Sequence, residues 1–343
     1  MRFVFVVLMF VNVGSAICSP LIEIYSKMSP EFDESDWHIH DPSRIIKLGD
    51  FEYLAATGKA QENGYDCGLE LWKREDKEED WYPSICLLQE KPAWIYSEMP
   101  NQDGAYWAPD FAPNGDIVYS VSAGFEETGS CVGILRRSDK NWTDIGRPIT
   151  CAFDPHEKQE VEAIDPSIFE AFDGRNFLVT GGGLVHISEF DFNSYETVSG
   201  EWYEPDHDSW FEIARGPGDL DDPDWVEAAY VYPFDGFYYL FVNWGACCRG
   251  VESTYNIRVG RSSSPTGPYF DKDGVDMMEG GGSLLVEGFE NKIGPGHAGL
   301  RMDEEKKYFL SFHYYDAEFD GKPWVGELEI MWKEGWPALM IPD

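Results

Sequence analysis

The sequence predicts an all-β fold, a five-bladed β-propeller, on three observations. Apolar and aromatic runs of strand length occur in pairs joined by Asn-Gly, Asp-Gly or similar turns. The pairs return five times along the 343 residues, and no long helical periodicity lies between them. A hairpin repeat of roughly 60 residues reads as one four-stranded sheet per repeat, and five such repeats use nearly the whole chain.

The N-terminal segment stands apart from the repeats. Arg2 is followed by the apolar run "FVFVVLMFVNV" and then by "GSA", small residues that suit signal-peptidase cleavage near Ala16. The run is short for a bilayer span, and no second apolar run of spanning length follows. Residues 1–19 therefore read as a signal peptide and residues 20–343 as a single propeller domain with no linker, so the protein is expected to be secreted.

The first unit is "HDPSRIIKLGDFEYLAATG", from His40, and the second "WAPDFAPNGDIVYSVSAG", from Trp107. The third is "IDPSIFEAFDGRNFLVTGGG", from Ile164, the fourth "EAAYVYPFDGFYYLFVNWG", from Glu227, and the fifth "HAGLRMDEEKKYFLSFHYY", from His297. Each opens with a polar anchor, follows with a short strand, turns, and ends in an aromatic strand. The anchors Asp41, Asp110, Asp165, Glu227 and His297 are spaced by 69, 55, 62 and 70 residues. The C-terminal "GELEIMWKEGWPALM" is expected to supply a strand that closes the ring.

The first strand of a propeller blade lines the central channel, so equivalent positions on the five strands converge. A core-facing strand should begin apolar. Polar anchors at matched positions therefore point to a site at one end of the channel, built from residues that the sequence scatters over some 250 positions.

Seven cysteines in an oxidising compartment suggest disulfides. Loss of Cys18 with the signal peptide leaves six. Proximity in the chain suggests Cys67–Cys86 and Cys131–Cys151; Cys247 and Cys248 are either a vicinal disulfide or a thiol beside a differently bonded partner. "NWT" at Asn141 is a formal N-glycosylation acceptor. A net charge of −37, from 63 acidic and 26 basic residues, repels phosphate backbones and anionic lipid, which argues against nucleic-acid and membrane partners.

Three converging carboxylates, abundant aromatics and the lack of a serine-nucleophile motif point to glycosidic bond cleavage. That reaction needs one carboxylic acid for the leaving oxygen and one carboxylate on the anomeric side. A third carboxylate nearby can keep the acid protonated by like-charge repulsion.

The series "HDPS", "WAPD", "IDPS", "EAAYVY", "NWGACCRGVESTYNIRVGRS" and "GPGHAG" resembles glycoside hydrolase family 43, and within it the secreted endo-1,5-α-L-arabinanases, from about Trp37 to Pro337. The resemblance implies a five-bladed propeller that cleaves with inversion. It implies Asp41 as general base, Glu227 as general acid, and Asp165 as the residue that tunes and orients the acid. It also implies that Trp107 lines the substrate cleft and that His297 helps hold one hydrated metal ion, usually Ca2+; no organic cofactor is expected. The expected activity is endo-hydrolysis of α-1,5-linked arabinan by a monomer. The alternatives are an exo-acting α-L-arabinofuranosidase or β-xylosidase of the same family, and a non-catalytic sugar-binding propeller. Retaining fructan-processing propellers carry Asn-Asp-Pro-Asn and Arg-Asp-Pro segments that this chain lacks.

Overall fold

The computed structural model describes residues 38–340 apart from 59–66, 76–78, 101, 103–105, 123–128, 140, 153–162, 198–209 and 217–224. The expected signal peptide lies outside the described residues. No helix among the described residues is long and apolar enough to cross a membrane.

Five antiparallel sheets follow one another along the chain, as the repeat predicts. The first contains β1 (Ile46–Leu48), β2 (Phe51–Thr57), β3 (Leu69–Arg74) and β4 (Tyr82–Cys86). The second runs β5 (Tyr106–Phe111), β6 (Ile117–Ser122), β7 (Ser130–Ser138) and β8 (Asn141–Asp144), with β9 (Thr150–Ala152) also on β7. The third runs β10 (Ser167–Glu170), β11 (Asn176–Thr180), β12 (Leu184–Asp191) and β13 (Glu196–Thr197), with β14 (Phe211–Arg215) also on β12. The fourth is β15 (Val226–Phe234), β16 (Phe237–Trp244), β17 (Asn256–Ser262) and β18 (Ser283–Val286). The fifth is β19 (Lys292–Met302), β20 (Tyr308–Asp316), β21 (Lys322–Lys333) and β22 (Trp336–Leu339).

In the fourth blade β15 and β16 meet at Asp235-Gly236, where both residues take positive φ (47° and 80°), the backbone of a two-residue turn that matches strand twist. Disulfides join Cys67 to Cys86, Cys131 to Cys151 and Cys247 to Cys248.

Ring closure differs from the expectation. The C-terminal strands β21 and β22 complete the blade of β19 and β20 and do not cross into the first blade, because each sheet is built from one contiguous stretch of chain. Closure instead falls to side chains. Four apolar clusters fill the seams between blades 1 and 2, 2 and 3, 3 and 4, and 4 and 5. The seam between blades 5 and 1 carries charge. Arg74 pairs with Glu52 (2.6 Å) and with Glu327, while Arg301 pairs with Glu327 (2.8 Å) and Glu52 (3.2 Å). All four side chains are 5–14 % exposed, so the ring of alternating charges is largely shielded from water. An edge-on contact of Trp72 with Trp324 and a backbone hydrogen bond from Ile39 to the Pro323 carbonyl complete this seam.

Candidate active site

The site is made by one local feature repeated five times. In His40–Ser43, Trp107–Asp110, Ile164–Ser167, Glu227–Tyr230 and Gly296–Gly299 the second residue takes a positive φ: Asp41 47°, Ala108 23°, Asp165 50°, Ala228 53° and His297 62°. The ladder to the next strand loses register across this segment in β5, β15 and β19, which is the signature of a bulge that re-aims side chains. A left-handed conformation costs a non-glycine residue about 1–2 kcal/mol. Such strain at the same position of every inner strand marks a site rather than a packing accident.

This register corrects the anchors. The equivalent set is Asp41, Ala108, Asp165, Ala228 and His297; Glu227 stands one residue before it and Asp110 two after. Asp110 is 3 % exposed, and its carboxylate takes the Arg44 guanidinium and the Arg44 backbone N–H (3.0 Å). Arg44 also donates to the Ile168 carbonyl (2.8 Å) and lies 4.9 Å over the Tyr230 ring. The pair ties blades 1, 2, 3 and 4 together on the axis. Beside it lies a small well lined by Asp165, Ser167, Ala228 and His297 among others.

Asp41 sits in a set of directed hydrogen bonds. Its Oδ2 accepts from the Thr57 hydroxyl (2.7 Å) and faces His40 Nδ1 at 2.8 Å. A carboxylate oxygen can only accept, so His40 Nδ1 carries the proton. The Asp41 amide donates to His313 Nδ1 (3.2 Å), which must therefore be a lone pair. Asp41 Oδ1 has His313 Nδ1 at 3.5 Å and His297 Nδ1 at 3.7 Å, beyond a normal hydrogen bond, so its lone pairs take no short donor among the described residues. Burial by itself would push the Asp41 carboxyl up. The electrostatic pull and hydrogen bond of His40, with His297 and His313 adding to them, outweigh it and hold the carboxyl well below the usual range.

Asp165 is tied to the backbone beside Glu227. Asp165 Oδ2 accepts the Ala228 amide (2.9 Å), next in chain to Glu227, and the Asp165 amide donates to the Ser120 hydroxyl (2.8 Å). Glu227 Oε2 accepts the Trp225 indole N–H (2.9 Å). Trp107 is half-buried on β5 at the position that Glu227 holds on β15, immediately before the left-handed residue.

His297 lines the well, and its amide donates to the Asn243 side-chain oxygen (3.1 Å). Burial pushes its imidazole down, so the neutral ring can offer a lone pair. The donor set of the well suits a hydrated cation: one imidazole, the Asp165 carboxylate, and the buried Ser167 hydroxyl, which has no hydrogen-bond partner among the described residues. Calcium prefers oxygen ligands, so water would fill most of its shell. His40, Asp41 and His313 also bring one ligand atom each within 4.8 Å of one another, but both Nδ1 atoms are already committed to Asp41.

The residues that sequence reasoning missed lie on the second strands. Thr57, Asn243, His313 and Tyr315 stand near the ends of β2, β16 and β20, beside the inner-strand bulges. The signal for His313 and Tyr315 was present in "FLSFHYYD", where a histidine interrupts an apolar run.

Comparison with known proteins gives the family. Residues 37–337 match the family model described as glycosyl hydrolases family 43. An extracellular exo-α-(1→5)-L-arabinofuranosidase of Cellvibrio japonicus is 32% identical over 318 residues, covering 88% of this chain and 86% of the relative. An extracellular endo-α-(1→5)-L-arabinanase of Bacillus subtilis is 32% identical over 308 residues, covering 88% and 87%. The solved structure of a Cellvibrio cellulosa α-L-arabinanase complexed with arabinohexaose superposes with a TM-score of 0.74 at 29% identity, covering 89% of this chain and 96% of that one.

Proposed function

Since the chain belongs to glycosyl hydrolases family 43 and is a glycoside hydrolase, we propose that it is a secreted, monomeric enzyme that cleaves α-1,5-linked arabinan with inversion, in endo fashion. The observation that carries this reading is the asymmetry of Asp41. Two donors saturate Oδ2, Oδ1 is left open, and the carboxyl is held ionised while shielded from bulk water.

In the proposed mechanism Asp41 is the general base. Its Oδ1 takes a proton from water as that water attacks the anomeric carbon of a bound furanose. Glu227 is the general acid: its carboxyl gives a proton to the leaving C5 oxygen of the next sugar, while the Trp225 indole holds one of its oxygens. Asp165, anchored by the Ala228 amide, orients the acid and keeps a negative charge beside it. Attack and departure occur on opposite faces, so an α linkage yields a β product. Trp107 offers a ring to the substrate cleft. His297 would hold the hydrated Ca2+, with Asp165 and Ser167 beside it in the well. The ion's charge would offset repulsion among the carboxylates around the well.

The endo mode follows the B. subtilis relative; the equal identity of the C. japonicus relative favours an exo alternative. Debranched linear arabinan tests both. Mixed oligosaccharides at early times are expected, and arabinose alone from the start would replace the endo mode with the exo one. Asp41→Asn and Glu227→Gln should each lower the rate by ~10²–10⁴-fold with the fold intact. Near wild-type rates in either would overturn the assignment.

A further inference from the structure

His40 and Tyr315 carry the hydrogen bonds of Asp41 outward as a chain. His40 Nδ1 carries the proton given to Asp41 Oδ2, so in the neutral ring Nε2 is an acceptor. The Tyr315 oxygen lies 2.7 Å from that Nε2. The same oxygen accepts the Cys248 amide (2.7 Å). The Tyr315 O–H is the donor within reach of the His40 Nε2 lone pair. The sequence runs Cys248 N–H to Tyr315, Tyr315 O–H to His40, and His40 N–H to Asp41, every donor aimed at the carboxylate.

The chain also crosses from one blade to another. Tyr315 ends β20 in blade 5, His40 precedes β1 in blade 1, and Cys248 belongs to the β16–β17 connection of blade 4. The His40 ring is clamped flat against His313, with centroids 4.2 Å apart and planes inclined by 20°. His313 in turn accepts the Asp41 amide. A ring held on one face and at both nitrogens has one orientation, and it fixes which Asp41 oxygen is occupied.

We propose that Tyr315, acting through His40, is the positioning device of this site: it locks His40 in the Nδ1–H tautomer, so that Asp41 Oδ2 is occupied and Oδ1 faces the attacking water. Tyr315 touches neither substrate nor reacting atoms, and its part in hydrolysis rests on Asp41 being the base.

A double-mutant cycle tests this, using Tyr315→Phe and His40→Asn on linear arabinan and on an aryl arabinofuranoside with a good leaving group. An asparagine amide can take the place of the imidazole Nδ1–H but has no atom that reaches Tyr315. Tyr315→Phe should lower kcat by ~10- to 100-fold with KM nearly unchanged. The loss should be the same on both substrates, because the base and not the acid is affected. In the His40→Asn background, Tyr315→Phe should cost nothing further. Additive losses, a change confined to KM, or an unchanged kcat would overturn the proposal.

A readout independent of activity is ¹⁵N NMR of the histidine rings. His40 should be Nδ1-protonated in the wild type and lose that preference in Tyr315→Phe; an Nε2-protonated His40 in the wild type would also overturn it. If the wild type does not hydrolyse arabinan, the proposed function fails while the tautomer measurement still decides the hydrogen-bond chain.

Discussion

Replacing Glu327 by Gln should destabilise the propeller at the seam between blades 5 and 1. Glu327 bridges Arg74 and Arg301, and with it gone two guanidiniums share the Glu52 carboxylate alone. Arg74 is 5 % exposed and Arg301 11 %, so water cannot replace the lost carboxylate at either. Breaking a buried charge network by removing one partner costs about 3–5 kcal/mol. For a domain of this size each kcal/mol shifts the melting temperature by about 2 °C, so a fall of roughly 6–10 °C is expected by calorimetry. Replacing Arg74 and Arg301 by Met together with Glu52 and Glu327 by Leu should recover most of it, since apolar side chains of similar volume can fill such a site. A loss below about 1 kcal/mol for Glu327→Gln, or a quadruple variant weaker than the single one, would refute the idea that charge closes the ring.

Three other perturbations follow from the site and its surroundings. Glu227→Gln should spare substrates with good leaving groups, which need little protonation, whereas Asp41→Asn should impair good and poor leaving groups alike; rates on aryl arabinofuranosides of graded leaving-group pKa check this. Burial lowers the His186 imidazole to about 4 from an ordinary value of 6.5, so the folded state resists its protonation. The stability it confers is complete above pH ~6.5 and is lost as pH falls toward 4, by up to about 3 kcal/mol; His186→Gln should flatten that part of the stability–pH curve, and an unchanged slope would contradict it. Chelator should lower the hydrolysis rate of the wild type and add no loss to His297→Ala, whereas a further loss in that variant would place the metal on other residues.

The propeller was legible because its evidence is local and repeated: strand-length apolar runs, Asp-Gly and Asn-Gly turns, and a constant interval. The inner-strand register was not legible. A bulge inserts a residue that no periodicity announces, so Asp110 looked equivalent to Asp41 although it lies two residues beyond the left-handed position and serves Arg44. Glu227 was found because its residue type suits the chemistry, although its position is displaced by one. Thr57, His313 and Tyr315 escaped because they lie inside apolar strands, and only the pairing of β2 with β1 and the closure of blade 5 on blade 1 bring them to Asp41 and its neighbour His40. Charge at the closing seam was hidden for the same reason: Glu52 and Glu327 are 275 residues apart and look like two of many surface acids.

The most direct measurement is the anomeric configuration of the first product, followed by ¹H NMR during rapid cleavage of linear α-1,5-arabinan before mutarotation sets in. Water activated by Asp41 on the face opposite Glu227 must deliver the β-furanose first, with the α anomer appearing only later. An α anomer formed from the outset would mean that an enzyme group attacks the sugar before water does, and the roles assigned to Asp41 and Glu227 would be wrong.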